Sequence, residues 1–139
     1  MELIVGAAPI FEDDWLLIGS AAAYVAGADV GPVNDIDLLL SARDLKTLDV
    51  HWRDRERLAV SPSSRFRSAL FHRIEAPLPI EAMAGFELKS GGDWVRMDPK
   101  TRVDYGGVFA PAITEQIEIL EMMGRDKDRP RISALQQLL

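Results

Sequence analysis

Two aspartates set the chemistry that this chain can attempt. Asp35 and Asp37 are separated by one residue in Asp35-Ile36-Asp37-Leu38-Leu39-Leu40. If this run is a strand, alternate side chains share a face, so both carboxylates point the same way. Carboxylates at that spacing can hold one hard cation, such as Mg²⁺, through oxygen ligands. Upstream lies Gly19-Ser20. A helix that opens there presents free amides and partial positive charge to a phosphate. Gly19 lets a ligand approach the backbone closely. A phosphate cradle beside a metal-holding acid pair is the minimum apparatus for phosphoryl or nucleotidyl transfer.

The flanking sequence has to position these groups. Trp15-Leu16-Leu17-Ile18 is a short apolar run and reads as a buried strand. Ser20 is a good N-cap residue type for the helix Ala21–Ala26, which Gly27 stops. The segment to Asn34 is rich in Gly, Pro, Asp and Asn and reads as a loop. Residues 35–40 form the second strand. This order, Gly-Ser opening a helix and then Asp-Ile-Asp on a strand, resembles the signature of the nucleotidyltransferase superfamily. The chain is similar to the small bacterial minimal nucleotidyltransferase-fold proteins, including relatives of AbiEii-type abortive-infection toxins.

The resemblance implies an α/β fold: a mixed β-sheet with flanking helices and a C-terminal helical pair. It implies Mg²⁺, or Mn²⁺, on Asp35 and Asp37, and ATP or another nucleoside triphosphate held by Gly19 and Ser20. Two further residues enter with it. Glu81 interrupts the apolar strand Ile80–Phe86, and a strand buried on both faces does not carry a lone carboxylate without a partner. Superfamily members place a third carboxylate on a strand after Asp-x-Asp, and Glu81 matches that place, with Glu where Asp is usual. A solvent-facing Glu81, or one paired with Arg67 or Arg73, is the alternative. Gly124-Arg125-Asp126-Lys127-Asp128 resembles a Gly-Arg-x-Lys-Asp stretch of the AbiEii-like relatives, in which the lysine meets a nucleotide phosphate; an ordinary charged loop is the alternative for Lys127. The chain departs from those relatives at Pro32-Val33-Asn34, where they carry Arg-x-Thr, and at Arg131, where they carry an acid.

Composition narrows the class. The chain has 139 residues, 47% of them hydrophobic and 27% charged, as expected of one soluble domain spanning residues 1–139. No cysteine is present, which excludes disulfides and thiolate metal sites. No apolar run approaches the ~20 residues of a spanning helix, and Met1–Val5 lacks the basic region of a signal peptide, so a cytoplasmic protein is expected. The formal charge of −6 argues against a general nucleic-acid binder. Arg53, Arg55, Arg57, Arg65, Arg67 and Arg73 concentrate positive charge mid-chain and read as a solvated face laced with Asp54 and Glu56, although a local basic patch for RNA stays open. His51 and His72 lack partners at metal spacing, and Ser20 lacks a Gly-x-Ser-x-Gly context.

The remaining pattern predicts a helix at Ala42–His51 opened by Ser41, a strand at Phe66–Glu75, and its antiparallel successor at Ile80–Phe86. It predicts a turn over Lys89–Asp93, strands near Trp94–Met97 and Val103–Phe109, and a helix capped by Thr114 and stopped by Gly124. A last helix covers Pro130–Leu139, burying Ile132, Leu135 and Leu138 or Leu139. Met1–Ile10 is open between helix and strand.

Two functions follow. The first is a Mg²⁺-dependent nucleotidyltransferase moving a nucleotidyl group from a nucleoside triphosphate to a hydroxyl on RNA, protein or a small molecule, with Asp35, Asp37 and Glu81 as catalytic and metal residues and Gly19, Ser20 and Lys127 on the nucleotide. The second is an inactive nucleotide-binding or regulatory module of the same fold, suggested by the missing Arg-x-Thr and by Glu in place of Asp. A structural homodimer, or a complex with a partner protein, is a third option.

Overall fold

The computed structural model describes residues 1–139. Its centre is a five-stranded mixed sheet built from β1 (Leu16–Ile18), β2 (Ile36–Leu39), β3 (Arg57–Leu58), β5 (Leu70–Ile74) and β6 (Ile80–Ala84), in the spatial order β1-β2-β6-β5-β3. β2 and β6 run parallel, and the other neighbours are antiparallel. A three-stranded antiparallel sheet is formed by β4 (Phe66–Arg67), β7 (Glu87–Ser90) and β8 (Asp93–Arg96), and a small hairpin by β9 (Val103–Asp104) and β10 (Phe109–Ala110). This is the expected mixed α/β architecture, a mixed sheet with flanking helices.

The strands bury two different faces. Ile36, Leu38, Ile80, Ala82 and Ala84 enter the main core, where they meet Leu45 and Leu48 of α3 (Ala42–His51) and Ile4 and Ala7 of α1 (Glu2–Ala7). On the opposite face, Ile18 and Met83 pack with Phe86, Leu88, Met97 and Ile119, and half-buried Leu39 joins them. The period-two alternation of a strand therefore puts Asp35 and Asp37 on the second face, beside Leu39. α2 (Gly19–Val25) contributes Ala23 to a third cluster with Ile117 and Leu120 of α4 (Ile113–Met123) and Leu135 of α5 (Arg129–Gln136). α4 and α5 form the expected C-terminal helical pair.

Several local expectations needed correction. Met1–Ile10 is helical, α1 followed by a 3₁₀ turn over Ala8–Ile10. The predicted strand at 66–75 is two strands in different sheets, because the chain steps across at Ala69. That crossing is tight: a Cβ on Gly85 would lie 2.9 Å from Cβ of Ala69. Lys89 and Ser90 belong to β7, and the hairpin turn is only Gly91-Gly92. Ser41 caps α3 as expected, accepting from the Asp44 amide. Asp44 itself is buried, and its carboxylate accepts from the amides of Glu12 and Asp13, both at 2.9 Å, so it fastens the segment before β1. Thr114 lies inside α4, whose N-cap is Ala112. Leu138 and Leu139 are exposed, because α5 ends at Gln136 before it can carry them onto the core. Asp54 and Glu56 pair with none of the mid-chain arginines; Arg57 instead meets Asp49, and Arg67 meets Glu87.

Candidate active site

Ile18 is the last residue of β1 and lies opposite Asp37 in the antiparallel register. The chain turns at once into α2. Gly19 makes the turn at φ +68°, and a Cβ there would come 2.7 Å from Oδ2 of Asp37. Only glycine fits both demands, so the Gly-Ser turn and the second aspartate are in direct contact. Gly19 is the first residue of α2, with Ile18 as N-cap, so Ser20 sits within the first turn and is not the cap expected for it. Ser20 is buried.

Glu81 arrives from the other side. In the parallel β2–β6 pairing it stands opposite Asp37. Carboxylate oxygens of Asp35, Asp37 and Glu81 lie within 4.8 Å of one another. Three oxygen donors on rigid, half-buried backbone suit a hard divalent cation. The site also feels its own repulsion. Burial pushes the Asp37 carboxyl well above the usual range, and a hydrogen bond with Glu81 and the charges of Glu81 and Asp35 add to it. Burial, then the Glu81 charge, raises Asp35 as well.

Positive charge surrounds the acids. Arg73, opposite Glu81 in the β5–β6 register, has Nε 3.3 Å from Oε1 of Glu81. Glu81 therefore belongs to the acid cluster and also takes the ion pair considered as its alternative. Lys127 is exposed on the 3₁₀ turn Asp126–Asp128, without an ion-pair partner, and its charge is felt at Asp35. The same short stretch holds an ion-pair cluster of residues to which the sequence assigned no role. Asp128 is fully buried; Arg125 grips it through Nε at 2.7 Å and Nη2 at 3.1 Å, and Arg131 through Nη1 at 2.9 Å. Arg125 and Asp128 stand in the Gly-Arg-x-Lys-Asp stretch and Arg131 three residues beyond it, but only Lys127 of that stretch was given a role from the sequence.

A cleft of 330 Å³ opens at the other end of β2, lined by Leu39, Leu40, Arg96, Lys100 and Arg102 among others. None of the three acids lines it. Arg102 is already engaged there by the Trp15 carbonyl, at 3.0 Å.

No protein-family model and no curated protein sequence matches the chain. Among solved structures, it is similar to a Thermotoga maritima protein provisionally described as a nucleotidyltransferase, with a TM-score of 0.70 at 15% identity over 99% of this chain and 91% of that one. At that identity the likeness is one of fold. No helix is long and apolar enough to cross a membrane.

Proposed function

We propose that this chain is a Mg²⁺-dependent nucleotidyltransferase that moves a nucleotidyl group from a nucleoside triphosphate, ATP among the candidates, to an acceptor hydroxyl, with pyrophosphate as the leaving group. The observation behind this reading is the acid cluster itself: three carboxylates within 4.8 Å, two of them opposite in register, against the Gly19 turn. Asp35, Asp37 and Glu81 would hold Mg²⁺ or Mn²⁺, which supplies charge neutralisation at the reacting phosphate when bound. Glu81 would complete that metal shell or take the proton of the incoming hydroxyl. The amides of Gly19 and Ser20, together with Lys127, would bind the phosphates, and Lys127 has no competing partner. The resemblance to minimal nucleotidyltransferases and AbiEii-type relatives supports the same assignment, in the cytoplasm, with an acceptor on RNA, protein or a small molecule.

A passive nucleotide-binding module is the second reading, and the Arg73–Glu81 ion pair favours it by occupying the third acid. Incubation with α-labelled nucleoside triphosphates, Mg²⁺ and cellular RNA or protein separates the two. Label transfer that disappears in Asp35→Ala supports the enzyme. Nucleotide binding without transfer supports the module, and equal, negligible binding by wild type and the Asp35→Ala, Asp37→Ala double variant removes both.

A further inference from the structure

We propose that buried Asp128 is a positioning residue that aims Arg125 and Arg131 at the acid cluster as a two-guanidinium receptor for the phosphate tail of a nucleoside triphosphate. The inference rests on the nucleotidyltransferase reading and names side chains that this reading does not need.

A fully buried carboxylate is costly unless it is paired and hydrogen-bonded. Asp128 meets that condition with three hydrogen bonds, all from guanidinium groups. The two-point grip fixes the plane of Arg125. Its guanidinium carbon also lies 5.1 Å from the Phe66 ring centre, and Nη2 reaches the Met123 sulfur at 3.5 Å. Arg125 is thus held from three directions. A guanidinium has five N–H donors, and no partner takes those on Nη1 of Arg125 or on Nε and Nη2 of Arg131. Two positive charges against one carboxylate leave an excess of one, with rigid donors to spare. That excess stands on the acids' side of the sheet: Phe66, which holds Arg125, packs against the cluster of Ile18 and Met83 together with Leu39, on the face that carries Asp35 and Asp37, and Ile132 beside Arg131 packs against the cluster that contains Ala23 of α2. A fixed pair of planar forks beside a metal-holding cluster fits the several oxygens of a polyphosphate better than a single anion.

The test is calorimetric binding by the purified protein of three probes: Mn²⁺ alone, inorganic tripolyphosphate with Mn²⁺, and a nucleoside triphosphate with a methylene α,β-bridge plus Mn²⁺. Asp128→Asn, Arg125→Lys and Arg131→Lys are compared with wild type, each checked for a folded circular dichroism spectrum. The lysine variants keep the charge and leave Asp128 in place, so they remain informative if Asp128→Asn does not fold. The expected result is loss of tripolyphosphate and nucleotide affinity by about tenfold in each variant, with Mn²⁺ affinity unchanged. A purely structural role would lower stability and leave the affinities of the folded variants intact, and that outcome overturns the proposal. So does a wild type that fails to bind tripolyphosphate. Tripolyphosphate binding by wild type, weakened by the lysine changes but with no nucleotide binding, would keep the receptor and remove the transferase reading.

Discussion

Gly19 and Asp37 occupy the same space to within one methyl group: the carboxylate oxygen of Asp37 lies 2.7 Å from where a Gly19 side chain would begin. Gly19→Ala therefore carries a double penalty, a left-handed backbone and a clash with the aspartate. We expect a loss of about 1–3 kcal/mol in urea denaturation. Mn²⁺ affinity should fall with it, because the clash is relieved only by turning Asp37 away.

Metal binding should be visible as stability. A cation that binds only the folded chain at a hundred times its dissociation constant adds about 2.7 kcal/mol. For a domain of this size that raises Tm by about 10 °C. EDTA should reverse the shift, and the Asp35→Ala, Asp37→Ala double variant should show none. A wild type indifferent to Mn²⁺ and Mg²⁺ would remove the metal assignment.

Asp37→Asn should stabilise the metal-free protein near neutral pH. The Asp37 carboxyl is held well above the usual range by burial, by its hydrogen bond to Glu81 and by the neighbouring acids. Between the unfolded and the folded pKa the native state binds more protons, so stability falls as pH rises through that window. Denaturation at pH 5 and pH 8 should show the variant gaining on wild type at the higher pH. Asp13 behaves in the opposite sense. Hydrogen bonds from Arg43 and Ser41 hold it at about 2, so the stability it lends is present above the ordinary carboxylate range and is lost as pH falls toward 2.

Arg73→Ala should tighten Mn²⁺ binding by about threefold to tenfold, since it removes a cation that competes for Glu81. Titration calorimetry reads this directly. Unchanged or weaker binding would mean that Arg73 orders Glu81 for the ion and does not compete with it.

Asp44→Ala is the structural control. It orphans the amides of Glu12 and Asp13 and should cost about 2–4 kcal/mol while leaving the metal affinity of the folded protein intact.

The strands and helices nearest the acids were legible because their signals are local. Trp15–Ile18 is uniformly apolar, Asp35–Leu40 carries its acids on alternate positions, and Ser41 begins a helix with a hydroxyl that accepts from the Asp44 amide. Glu81 was legible as an anomaly, a charge in an apolar run, but its partner Asp37 is a matter of register that no local pattern encodes. The split of residues 66–75 between two sheets depends on Ala69 meeting Gly85, a contact between distant segments. The burial of Asp128 was hidden for a different reason. In a stretch as charged as Arg125–Arg131, nothing local marks the one acid that is withdrawn from water, and its burial follows from the packing of α4 and α5.

The acid cluster draws Asp35 and Asp37 from β2 and Glu81 from β6, and the arginine clamp stands after α4. A ribosome that has delivered β2 alone has made two aspartates with nothing across from them. The third carboxylate joins them only when β6 pairs beside β2, and Arg125 and Arg131 come later still. A fragment that ends before Ile80 would thus keep two of the three carboxylates and lack the strand that brings the third.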